Sequence, residues 1–189
     1  MSVALHPLTD ADGPRVLAWR NSEAVAPYMY SEAVIGEADH ARWLHAALTE
    51  PDRCYWVIRL DDHPVGLANL ARIDRHNRRC DWAYYLADPS VRGRGVGQAV
   101  EFAVLAHVFE TLKLNKLWCE VFLDNDVVWQ LHERFGFTRE ALFRQHVFKG
   151  GVPRDVVGLG LLARDWPDAR AAALARFAEK GQAPARIVD

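Results

Sequence analysis

Trp82-Ala83-Tyr84-Tyr85-Leu86-Ala87-Asp88-Pro89-Ser90-Val91-Arg92-Gly93-Arg94-Gly95-Val96-Gly97 is the stretch on which the fold turns. Its aromatic first part reads as a strand, and Asp88-Pro89 ends that strand in a turn. The glycines then open a long helix, Gly97 to Leu112, that is apolar nearly all round. Such a helix packs on a sheet and is covered on its other sides too. A helix start offers unpaired N–H groups and a partial positive charge. Glycines let the backbone approach an anion closely, and Arg92 and Arg94 add full charges. The combination suits a pyrophosphate.

The spacing excludes two kinds of pyrophosphate ligand. Gly93-x-Gly95-x-Gly97 is not G-x-G-x-x-G, and no acidic residue after a following parallel strand completes a dinucleotide fingerprint. No Gly-Lys-Ser/Thr follows, so a nucleotide P-loop is excluded.

Upstream, Val3 to Leu8 alternates as a strand, and Thr9 or Asp10 caps a helix with Pro14 early in it. A short broken helix is expected over Ser22–Tyr30 and a clearer one over Glu37–Leu48. Arg53–Leu60, Val65–Ile73 and Cys80–Leu86 read as an antiparallel meander. Downstream come a strand at Lys116–Phe122 and a helix from Asp124-Asn125-Asp126 to Arg134, stopping before Gly136. Extended segments Phe137–Phe148 and Asp155–Leu162 flank the turn Lys149-Gly150-Gly151. Residues 165–180 form an Ala-rich helix with two candidate seats, its own domain or the second subunit of a homodimer. Gly181–Asp189 is expected to be a loose tail. The order gives a single mixed α/β domain.

At 189 residues the chain makes one domain with a full core. A net charge of -2 points to neither nucleic acid nor membrane, so an anion site must be local. The start lacks a basic region followed by an apolar run, and no stretch approaches the ~18 apolar residues of a membrane span. Cys54, Cys80 and Cys119 lie far apart in strand-like runs and are expected to be reduced core residues of a cytoplasmic protein. The eight histidines show no ligand spacing, so no metal is expected.

Arg92-x-x-Gly95-x-Gly97, followed about thirty residues later by an Asn125-opened helix ending in Phe135-Gly136-Phe137, resembles the Gcn5-related N-acetyltransferases (GNAT). The resemblance runs from about Leu5 to Trp166. It implies an acyltransferase domain over 1–166, with a C-terminal helix and tail over 167–189. It implies an α/β fold whose mixed, mostly antiparallel sheet is splayed at the acetyl-CoA site and flanked by helices. It further implies that Arg92, Gly93, Arg94, Gly95, Val96 and Gly97 hold the CoA pyrophosphate. The strand Trp82–Ala87 bonds the pantetheine, a backbone N–H near Leu86 or Ala87 stabilises the oxyanion, and Asn125 faces CoA.

Amide formation from a thioester needs a neutral amine, a stabilised oxyanion and a proton for the leaving thiolate. Many relatives carry a Tyr seven residues after the Asn as the acid; this chain has His132 there. Histidine titrates near neutrality and can do the same work. Asp81 matches a carboxylate that several relatives carry at the start of the splayed strand and is the first candidate base, with Glu120 and Asp124 behind it.

For the acceptor, Trp19-Arg20-Asn21, His40-x-x-Trp43, the Asp74–Arg79 loop and the Arg144–Leu162 region resemble one subgroup. That subgroup acetylates the 4-amino group of a UDP-linked sugar in pseudaminic acid synthesis, for flagellin glycosylation. A UDP-sugar wants arginines and aromatic faces. Arg20, Arg78 and the neighbouring Arg72, Arg75 and Arg79 supply the first, and Tyr28, Tyr30 and Trp43 the second. A ribosomal-protein or peptide N-terminus, or a polyamine met by Glu23, Glu32, Glu37 and Asp39, is the rival acceptor. A CoA-binding domain without catalysis is the reading from another class.

Overall fold

The computed structural model describes residues 2–188. Eight strands form one sheet: β1 Val3–Pro7, β2 Cys54–Leu60, β3 His63–Asp74, β4 Arg79–Leu86, β5 Lys116–Phe122, β6 Thr138–Lys149, β7 Val152–Leu162 and β8 Arg186–Ile187. Their order is β6-β7-β5-β4-β3-β2-β1-β8. The helices are α1 Gly13–Arg20, α2 Glu37–Thr49, α3 Val96–Ala106, α4 Asp126–Arg134 and α5 Trp166–Glu179. The expected meander is β2, β3 and β4, joined antiparallel.

The apolar runs sort to the two faces by strand periodicity. The larger cluster joins α3, α4 and α5 to one face, through Leu70, Trp82, Val100, Leu105, Leu117, Leu159 and Phe177 among others. The smaller cluster sets Val16 and Ala47 of α1 and α2 against Val57 and Leu67 on the other. α5 takes the seat on its own domain: Trp166 and Phe177 pack on Phe102 with ring centres 5.6 and 5.7 Å apart. Each such buried aromatic contributes about 1.5–3 kcal/mol.

Three expectations need correction. Ser22–Tyr30 holds only one tight turn, Ala26–Tyr28, because Pro27 and short polar residues cannot sustain a helix there. The long helix stops being α-helical at Ala106, and His107–Thr111 widens into a π turn closed by Leu112 N–H on the His107 carbonyl. The tail is not loose: Arg186–Ile187 pairs parallel with β1, and Val188 N–H donates to the Leu5 carbonyl. β1 would otherwise present an open sheet edge, which the tail covers; Asp189 lies outside the described residues.

Candidate active site

β4 and β5 run parallel but share only three rungs, Arg79·Lys116, Cys80·Leu117 and Asp81·Trp118. Beyond Asp81 and Trp118 the strands part. On its other side β4 stays zipped to β3 as far as Leu86·Gly66. The Ala87 N–H donates to the Val65 carbonyl at 2.8 Å. In an antiparallel ladder bonded residues alternate, so Leu86, Tyr84 and Trp82 turn their N–H and C=O groups away from β3 and into the gap. Ala87 is thereby removed as an oxyanion donor, because its N–H is already spent; Leu86 keeps that geometry.

At the open end of the gap the chain turns through Pro89–Val91 into the glycine loop and α3. Gly95 caps α3 with φ +84, a conformation that disfavours any side chain. Gly97 answers a different need: a Cβ there would lie 2.8 Å from the Tyr84 hydroxyl, so helix and strand approach too closely for a larger residue. Gly93, Arg92 and Arg94 are exposed, and Arg92 also donates to the Ala24 carbonyl at 3.2 Å. Val96 is buried beneath the loop. Asn125 precedes α4 and makes no side-chain cap bond, which leaves its amide uncommitted to the helix.

Alternation places Asp81 and Ala83 of β4 with Trp118 and Glu120 of β5 on the face covered by α1 and α2. Trp82, Tyr84 and Cys119 lie on the α3–α4 face. Asp81 is not a free base. It is paired with Arg72, whose Nε donates at 2.6 Å. A bulge in β3 with Arg72 at φ +50 aims that guanidinium at Asp81, and such a left-handed residue costs about 1–2 kcal/mol. Glu120 is exposed and accepts only the Tyr30 hydroxyl, at 2.9 Å, among its described contacts. Burial, then Glu120, push the Tyr30 phenol above its usual range, so it stays a donor. Asp124, the other base candidate, pairs with Arg154 beyond the end of β5.

His132 lies deeper than expected. It is 3% exposed, against Trp82 and Phe137, and its Nδ1 is 2.8 Å from Oε1 of Glu101. Glu101 is fully buried and its Oε2 has no partner. Burial alone would lower the imidazole pKa; the carboxylate of Glu101 and then Cys119 reverse this and hold it at about 10. The result is an imidazolium behind the gap. A signal for Glu101 existed in the sequence: it is the single charge in Val96–Ala106, and a charge in a helix covered on all sides needs a partner.

The proposed acceptor residues separate. Tyr30 belongs to the 21–36 segment above the gap, and Arg20, the last residue of α1, lies against that segment at Met29 and Ser31. Lys149 of the β6–β7 hairpin holds this segment by the carbonyls of Ala26 (2.9 Å), Met29 and Ser31. Sequence reasoning missed that clamp because its partners lie over a hundred residues away. Trp43 stacks on His40 and meets Tyr55 edge-on, as part of the smaller core cluster. Arg78 donates to the Lys113 carbonyl at 2.9 Å, behind the closed end of the gap. Arg79 faces Asp74 at 3.9 Å. The arginine loop is thus largely spent on the protein itself, because each of these guanidiniums finds a nearby carboxylate or carbonyl before it reaches the gap.

The family model of the acetyltransferase (GNAT) domain matches residues 2–138. Acetyltransferase PseH of Campylobacter jejuni is 27% identical over 123 residues, 65% of this chain and 74% of that protein. Spermidine N(1)-acetyltransferase of Vibrio cholerae is 26% identical over 98 residues, 52% of this chain and 56% of that protein. A crystal structure of spermidine N-acetyltransferase from Vibrio cholerae with CoA and spermine superposes with a TM-score of 0.82 at 19% identity, covering 88% of this chain and 98% of that one. The expected fold, a splayed mixed sheet flanked by helices, is the one observed.

Proposed function

The chain belongs to the GNAT acetyltransferase family, and on that footing we propose that it moves acetyl from acetyl-CoA to a primary amine by direct transfer in the gap between β4 and β5. The observation that carries this is the parting of the two strands after Asp81·Trp118, which leaves the backbone of Trp82, Tyr84 and Leu86 facing a gap with the glycine loop at its mouth. The pantetheine amides take those backbone groups, and the pyrophosphate takes the N–H groups of Gly93, Gly95, Val96 and Gly97, those of Arg92 and Arg94 being spent on Pro89 and Val91 while their side chains lie beside it. Leu86 N–H meets the developing oxyanion. The amine arrives from the α1–α2 face as an ammonium and loses its proton to a carboxylate. Glu120 suits that role better than Asp81, since Arg72 neutralises Asp81. His132 returns a proton to the CoA thiolate, and its partner Glu101 keeps it charged to do so.

The acceptor we favour is the 4-amino group of a UDP-linked amino sugar, as in pseudaminic acid synthesis. Its support is the PseH relative together with Arg20, Tyr28 and Tyr30 above the gap. A polyamine is the second reading, favoured by Glu120 and by Asp81 where the two strands part, and by the spermidine acetyltransferase relatives. Thiol release from acetyl-CoA with UDP-4-amino sugars, spermidine and peptides compared side by side tests both. Highest kcat/KM on the sugar is expected. Preference for spermidine would replace it, and CoA binding without turnover on any amine would replace catalysis with a sensor. A His132→Phe variant that kept full turnover would remove His132 from the mechanism.

A further inference from the structure

We infer that Gln182, in the tail that follows α5, binds the nucleotide end of acetyl-CoA: its side-chain amide donates to a phosphate oxygen and accepts from a ribose hydroxyl or the adenine amino group. The inference rests on the reading of the glycine loop as the pyrophosphate site.

The tail is fixed on both sides of Gln182. α5 ends in a Schellman turn, with Gly181 at φ +58 and its N–H on the Ala178 carbonyl at 3.1 Å, and the Gln182 N–H on the Phe177 carbonyl at 2.9 Å. Phe177 is buried against Phe102 of α3, which ties the turn to that helix. Ala185 is buried in turn, its N–H donates to the Ala99 carbonyl of α3 at 3.3 Å, and Arg186–Ile187 then joins β1. Between these anchors the Gln182 side chain lies on the glycine loop. A Cβ at Gly95 would stand 3.0 Å from both Nε2 and Oε1 of Gln182, so the amide fills the space that the glycine leaves. Gly95 caps α3, so the amide sits beside the N–H groups that take the pyrophosphate.

Oε1 of Gln182 is buried and has no hydrogen-bond partner among the described residues. Folded proteins seldom leave a buried amide oxygen unpaired, which points to a donor from outside the chain. A pyrophosphate offers only acceptors; it suits Nε2 and leaves Oε1 unmet. CoA carries donors on both sides of its pyrophosphate, the pantoate hydroxyl on one and the ribose hydroxyl and adenine amino group on the other. The tail reaches the loop from the β1 side of the sheet, whereas the gap for pantetheine opens between β4 and β5. Gln182 therefore meets the nucleotide side. The anchors of the tail are backbone bonds and apolar packing, and neither uses the Gln182 amide.

The test is calorimetry of the full chain, native and substituted, with CoA and with 4′-phosphopantetheine, which ends before the nucleotide. Gln182→Leu should raise the Kd for CoA about three- to tenfold, the loss of one or two hydrogen bonds, and leave phosphopantetheine unmoved. Gln182→Glu sets a carboxylate beside the phosphates and should raise it about tenfold or more, a deficit that shrinks as ionic strength rises. Melting curves without ligand show whether the tail still docks; if Gln182→Leu disturbs it, Gln182→Asn, which keeps the amide one methylene short of the loop, takes its place. Native CoA affinity in both the neutral and the acidic variant overturns the inference and leaves the site reading standing. Equal losses for CoA and phosphopantetheine overturn it too, since Gln182 would then act on the loop and not on the nucleotide. A native chain that binds no CoA overturns both readings.

Discussion

Replacing Glu101 with Gln removes one charge from the buried pair and almost no volume. Gln can still accept from Nδ1–H of His132, so ring orientation is kept while the charge that holds the imidazolium is lost. In the native chain that carboxylate, with Cys119, overcomes burial and keeps His132 at about 10. Without it only Cys119 is left against burial, and His132 falls back toward the ordinary histidine value of about 6.5. At pH 7.5 the protonated fraction then drops from nearly all toward about one tenth. If His132 protonates the leaving thiolate, kcat at that pH falls about tenfold or more, up to the ~10²–10⁴ a general acid contributes. The KM for acetyl-CoA should change little. Stability carries the same signature with a definite sign. A folded-state pKa above the unfolded one stabilises fully below about pH 6.5 and loses that contribution as pH rises toward 10. The native melting temperature should therefore decline over this range. In Glu101→Gln the folded and unfolded values lie closer together, so this decline with rising pH should be largely lost. The assay is kcat by thiol release from pH 6 to 10.5, with melting curves at the same pH values. A variant with native kcat at pH 7.5, an unmoved alkaline limb and an unchanged melting slope would refute the reasoning.

Three further outcomes follow from the geometry. Gly97→Ala places a Cβ 2.8 Å from the Tyr84 hydroxyl, so it should cost about 1–3 kcal/mol of stability and weaken CoA binding, read by melting and calorimetry. Glu120→Gln should lower kcat about a hundredfold or more, whereas Asp81→Asn should lower it less, because Asp81 is already neutralised by Arg72; the reverse order in steady-state assays would return the base to Asp81. Lys149→Ala releases three carbonyls of the 21–36 segment and should raise KM for the amine about five- to thirtyfold, a loss of about 1–2 kcal/mol, with KM for acetyl-CoA unmoved.

Much of the scaffold was legible because strand and helix periods are local. Tyr55-Trp56-Val57-Ile58 and Trp82–Leu86 announce their strands, and Arg92–Gly97 announces a helix start with an anion cradle. What escaped depends on contacts between distant segments. Nothing beside Asp81 in sequence says that a bulge nine residues earlier turns Arg72 onto it. Arg78 looks like a substrate arginine until its carbonyl partner at Lys113 is seen. The tail lacks a strand-like run long enough to read alone, and it becomes a strand because β1 offers an edge. Glu101 and His132 were each visible, thirty-one residues apart, and only the packing of α3 against α4 joins them.

The central claim is that acetyl-CoA lies in the gap between β4 and β5, and a crystal structure of the CoA complex tests it most directly. The account predicts pantetheine against the backbone of Trp82, Tyr84 and Leu86, the pyrophosphate on the N–H groups of Gly93, Gly95, Val96 and Gly97, and the sulfur toward His132. CoA bound elsewhere, with β4 and β5 still parted and empty between Leu86 and Phe122, would contradict it.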